Sequence, residues 1–177
     1  MAIKTVLLSG ISLFGWSAAF YVSHLSLVLL STLPAAVRTY QIYHGNTPFA
    51  LEVLVEMLRL VLVAAMIYCG SGRSGPLIAA ETWRTIWKSA FARTAEIAKE
   101  QWVKAAVKYA VVIALMLVFN KCVDFVFTAN NARAVMDGLS IGGLDAAPAA
   151  QAGKYFVKNI FVIPVTLVSV LRLIRWI

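Results

Sequence analysis

Charge is scarce in this sequence. Asp, Glu, Lys and Arg make up 14% of its 177 residues, where a soluble domain carries about a quarter. None of the four occurs in the 33 positions from Thr5 to Val37. Cysteine is scarcer still. Cys69 and Cys122 are the only two, and their spacing fits neither a metal site nor a redox pair, which excludes a disulfide framework. A Gly-rich phosphate loop, a His-Glu zinc signature and a nucleophile elbow are all missing, as are an internal repeat and a separate soluble domain. The expectation is a protein that is not an enzyme, with no catalytic residue, no cofactor and no metal site.

Acidic residues are half as frequent as basic ones, 8 against 16, for a net charge of +8. A nucleic-acid domain of this size would carry more charge and less apolar surface, so nucleic acid is not an expected partner. Excess Lys and Arg in an apolar chain instead marks a cytoplasmic face and contact with anionic lipid headgroups.

What is abundant is apolar: 61% of the chain is hydrophobic. The expected fold is an all-α integral membrane protein, a single helical domain over residues 1–177 with about four transmembrane helices at 5–34, 48–70, 105–128 and 155–177. A long amphipathic cytoplasmic extension over 81–104 and an outer loop over 129–153 complete it. The first run exceeds the roughly 20 residues that a crossing needs. Lys4 ahead of it and the small residues Ser17, Ala18 and Ala19 are signal-like, but the run outlasts a signal core. It reads as a retained span ending near Pro34, whose ring disrupts helical bonding. Pro48 opens the second span, and Gly70, Gly72, Gly75 and Pro76 close it. In the later spans the charge-free cores are shorter: Leu60–Gly72, Tyr109–Asn120 and Asn159–Leu171. Each covers roughly 20 Å of the ~30 Å hydrocarbon layer, so charged side chains must enter the membrane, pair between helices or snorkel.

With four spans and a cytoplasmic start, Lys4, Arg73, Arg84, Lys88, Arg93, Lys99, Lys104, Arg172 and Arg175 share the cytoplasmic side, and Arg38, Arg133, Lys154 and Lys158 the other. That agrees with the positive-inside tendency. The expected setting is a bacterial inner membrane with both chain ends cytoplasmic; an organellar membrane is the alternative. In the extension, Trp83, Ile86, Trp87, Ala90, Phe91, Ile97 and Trp102 recur at helical spacing between basic residues. Trp83, Arg84, Trp87, Lys88 and Trp102 are therefore the candidates for contact with lipid headgroups or a partner. No Gly or Pro separates the extension from the third span. One helix from Glu81 to Thr128 would be about 72 Å long; a bend near Gln101 would lay its first half along the interface.

Ionisable groups inside spans are costly and are functional candidates. Glu52, Glu56 and Arg59 lie on the second span, Asn120, Lys121 and Asp124 on the third, and Lys158 and Asn159 on the fourth, all toward the outer half. The three acids balance the three bases, as a self-satisfied network requires, whereas an ion path more often shows one sign in excess. Glu56 and Arg59 can pair along one helix. His24 could ligate haem, but His44 lies beyond Pro34 at another depth, and a single histidine bonded to a neighbouring helix is the simpler reading. Small-residue stripes, Gly15, Ala19 and Ser23 on the first span and Ala106, Ala110 and Ala114 on the third, let helix backbones approach closely. The expected function is a non-catalytic membrane subunit that associates with other membrane proteins. Behind it stand a small homo-oligomeric channel or transporter and a haem or quinone anchor.

Overall fold

Every regular element among the described residues is helical. These residues are 3–45, 47–72, 75–76, 78–97, 99–140, 143 and 145–177 of a computed structural model, without the side chains of Ile3, Val6, Lys99 and Glu100. Arg73 lies outside them. The helices are α1 (Ile3–Ser23), α2 (Leu25–His44), α3 (Phe49–Gly70), α4 (Ala80–Ala95), α5 (Lys99–Val126), α6 (Ala129–Gly138), α7 (Ala146–Val157) and α8 (Ile163–Leu173), with a π-helical turn over Lys158–Val162 joining the last two. Three helices are long and apolar enough to cross a membrane: Leu25–His44, Gln101–Val126 and the continuous Ala146–Leu173. A further apolar helix, Leu7–Ser23, is shorter.

The charge-free run at the start does not form one helix that ends at Pro34. It breaks at His24, where φ and ψ are −101° and 79°. Ser23 Oγ and His24 Nδ1 both bond the Phe20 carbonyl, at 3.0 and 2.7 Å, so local side chains compete with the backbone ladder there. Pro34 lies buried inside α2. Ser31 and Thr32 donate to the carbonyls of Val28 and Leu29, keeping acceptors occupied in the turn that the proline disturbs.

The long helix from Glu81 to Thr128 does not form either. α4 ends at Ala95 and α5 starts at Lys99, so the break falls ahead of Gln101. Nor is 129–153 a loop throughout. Thr128 Oγ1 accepts the Asn131 N–H and caps α6, and an Asp145 carboxylate oxygen accepts the Ala147 N–H and caps α7. The last long helix therefore begins at Ala146, ahead of the expected Tyr155.

That last helix is the spine of the bundle. Val162, Val165, Val168 and Leu171 are buried on it, with Leu62, Met66, Ile67 and Val112 from its neighbours. The α1–α2 pair runs antiparallel beside it: Ser169 meets Ser17, the Ile160 carbonyl meets Tyr21, and the Ala152 carbonyl meets Thr39. α5 is also antiparallel, through Phe119–Phe161 and Gln101–Arg175. α3 is parallel to the spine, from Arg59–Asn159 to the close approach of Gly70 and Ile177, where a Cβ on the glycine would lie 2.3 Å from the Ile177 Cβ.

The π turn has a local cause and a local consequence. Ile163 N–H bonds the carbonyl of Lys158, five residues back. Pro164 has no N–H for the Ile160 carbonyl four residues before it. The buried Tyr21 hydroxyl donates to that carbonyl instead, at 2.6 Å, with Ser31 Oγ as its second partner.

Candidate functional site

The π turn also decides where the polar groups go. It sends Lys158 toward α5, where Nζ donates to an Asp124 oxygen at 2.9 Å, and the adjoining Asn159 toward α3, where Oδ1 accepts from Arg59 Nη2 at 2.8 Å. Two small clusters result. In one, Arg59 bridges Glu56, at 2.6 Å, and Asn159, whose amide donates in turn to the Tyr155 carbonyl. In the other, Asp124 is shared by Lys158 and Lys154, the latter at 3.4 Å. A third pair closes the same half of the bundle: Arg38 on α2 meets Glu52 on α3 at 2.5 Å and Gln41 at 3.2 Å.

Of the eight residues that the sequence groups into one polar layer, six enter these clusters: Glu52, Glu56, Arg59, Asp124, Lys158 and Asn159. Three further participants, Arg38, Gln41 and Lys154, lie outside the spans that the sequence marks. Asn120 makes no side-chain hydrogen bond among the described residues, and Lys121 has no acidic partner among them. Lys121 is exposed on α5, bordered by Leu117, Val118, Cys122 and Phe125. Among the described residues, two buried nitrogens, Gln41 Nε2 and Arg59 Nε, have no partner. Asp124 and Lys154 also line an open cleft of about 610 Å³ at that end of the bundle, with Tyr43, His44 and Gln151. No group of three His, Cys, Asp or Glu side chains that could hold a metal occurs among the described residues.

At the opposite end α4 folds onto the residues that follow the spine. Trp87 and Phe91 meet Trp176 edge to face, with ring centres 5.2 and 5.6 Å apart, and Trp83 lies between Tyr68 and Trp87. Such pairs contribute about 0.5–1.5 kcal/mol each beyond area burial. Polar bonds fix the same contact: Thr94 Oγ1 accepts from Trp176 Nε1 and faces the Ile174 carbonyl, and Arg93 donates to the Trp176 carbonyl. Trp83 and Trp87 are thus half-buried inside the chain, while Arg84 and Lys88 stay exposed, Arg84 in an ion pair with Glu81. Trp102 stands apart from them, exposed on α5.

The small-residue stripes point outward. Gly15, Ala19 and Ser23 on α1 are exposed, and so are Ala106, Ala110 and Ala114 on α5; a Cβ built on Gly15 would meet nothing within 4 Å. Helix packing within the chain uses a different glycine, Gly10, where a Cβ would lie 2.5 Å from the Val111 Cβ. The α5 stripe continues through Leu117, Val118, Lys121 and Phe125, all exposed. No protein-family model, no curated protein and no solved structure matches the chain, so its chemistry is read from this geometry alone.

Proposed function

We propose that the chain is a non-catalytic integral membrane subunit, an accessory or scaffolding component of a larger membrane assembly. The kinked α1–α2 pair, α3, α5 and the spine are its four crossings. The end that carries α4 and Arg172 faces the cytoplasm, in a bacterial inner membrane. The observation that carries this reading is the outward face of α5. Ala106, Ala110 and Ala114 there form a stripe made for close helix approach, and Lys121 continues it without an acidic partner among the described residues. Alanine in lipid forgoes the dispersion contacts that a neighbouring helix would give, and an ammonium group against acyl chains is costly unless it snorkels or is paired. A partner helix that offers a carboxylate to Lys121 answers both.

The paired polar groups support a structural role. Glu56 with Arg59, Asp124 with two lysines and Arg38 with Glu52 close on one another within the chain. A conduction path needs polar groups turned toward a shared lumen.

The test is the mass of the native particle after gentle extraction into nanodiscs, with its components identified. Unlike chains in fixed ratio are the expected result. A particle built from this chain alone would overturn the subunit reading and put a homo-oligomeric channel in its place.

A further inference from the structure

The groove between α1, α5 and the end of the spine holds a charge that no acidic side chain among the described residues answers. It encloses about 510 Å³, within the roughly 300–1,000 Å³ of small-ligand clefts. Lys104 and Lys108 enter it from α5, Arg172 from the spine and Arg175 from the turn beyond. No acidic side chain lines it among the described residues, and neither lysine has an ion pair or a hydrogen bond among them. Like charges gathered around one cavity repel each other, more strongly where protein walls lower the effective dielectric. The fold keeps them together all the same.

Both arginines are held in place. The Arg172 guanidinium lies 4.3 Å from the centre of the Trp16 ring and donates to the Ile177 carbonyl at 3.1 Å. Arg175 takes a left-handed backbone, φ +61°, which a side-chain-bearing residue adopts only at a cost. Its side chain is tied to Gln101 Oε1 at 3.0 Å. A fixed guanidinium leaves further N–H donors in planar array, the geometry that matches a phosphate, and a lysine adds a mobile point charge. Leu13, Trp16 and Leu173 give the same groove an apolar wall.

We propose that this groove binds a phosphate-bearing anion, presented by an anionic phospholipid headgroup or by a soluble phosphate compound. The apolar wall and the position at one end of the bundle, where headgroups lie if the helices cross a bilayer, favour the lipid; that preference rests on the membrane reading, and the anion site does not. The site is also distinct from α4, whose tryptophans are engaged within the chain.

The full chain in nanodiscs of phosphatidylcholine and phosphatidylglycerol is exchanged into neutral detergent, and retained phospholipid is counted by native mass spectrometry. In parallel, protein in neutral detergent is titrated with pyrophosphate. Lys104→Gln with Lys108→Gln is compared with Arg84→Gln plus Lys88→Gln, which removes the same charge from α4. Retention of phosphatidylglycerol by wild type and the α4 variant, with at least a tenfold loss in the groove variant, supports the site with a lipid source. The same pattern with pyrophosphate alone supports it with a soluble source. Absence of saturable binding by either probe, or equal loss in both variants, overturns it. Lys104→Gln alone, at an exposed position, is expected to weaken binding in the same direction if the double variant does not fold; unchanged binding in that variant also overturns the site. The membrane reading is scored separately, by whether detergent is needed to extract the chain.

Discussion

The Tyr21 hydroxyl joins α1 to both α2 and the spine. The residue is 1% exposed, and its O–H goes to a carbonyl that Pro164 leaves without its usual helical donor. Tyr21→Phe is expected to lower stability by about 1–3 kcal/mol, the range for a buried polar group left unmet, read as a fall in the melting midpoint in detergent. Pro164→Ala restores an N–H four residues on, so the double variant should lose less than the sum of the two single changes; strict additivity would contradict the link. The paired charges give a second expectation. Neutralising Glu56 and Arg59 together should be milder than Arg59→Gln alone, which leaves Glu56 and Asn159 without their shared donor. Thermal shift of the three variants decides it, and a double variant worse than both singles would count against internal pairing. Sequence spacing made the Glu56–Arg59 pair legible because it is local, three apart on one helix. Asp124–Lys158 and Arg59–Asn159 were not, since their geometry depends on a π turn that no periodicity announces.

Among the elements, α4 has the least intrinsic reason to be where it is. Its tryptophans and basic residues suit a membrane interface as well as they suit a protein surface, and spacing alone cannot separate the two. What settles its position is Trp176, far along the chain, with Thr94 and Arg93 bonding the residues around it. Trp176→Ala removes two aromatic contacts and the indole N–H at once. Trypsin is expected to cut at Arg84, Lys88 and Arg93 markedly faster in that variant, with cleavage elsewhere unchanged; equal rates would show that α4 is held by something else. The Ala-, Gly- and Asn-rich composition of 129–153 read as a loop, although Thr128 and Asp145 cap the helices that form there. The apolar run from Thr5 onward read as one helix for the opposite reason: nothing in its composition marks His24, where side chains compete with the backbone for the Phe20 carbonyl.

For the molecule as a whole, the helical class and the apolar character followed from composition, since 61% hydrophobic content can be hidden only in a membrane or a large assembly. Which faces point inward did not follow, and the glycines show why. Gly15, with alanine and serine at four-residue spacing, marked a face for close helix approach without saying whose helix it meets; it is open in this chain, and Gly10 carries the close approach to α5. The two positions therefore predict opposite phenotypes. Gly10→Ala forces Val111 to move and should destabilise the isolated chain by about 1–3 kcal/mol, as overpacking does. Gly15→Leu should leave its melting midpoint unchanged and weaken association with a partner. Finding the reverse would place the external interface elsewhere.

The most direct measurement is a photo-crosslinking residue at position 110, in the middle of the exposed α5 stripe, activated in intact membranes. An adduct with an unlike protein chain, lost when Lys121 is replaced by Leu, is the predicted result. An adduct with a second copy of the same chain, or with lipid alone, would contradict the assignment of this protein as a subunit of a mixed membrane assembly.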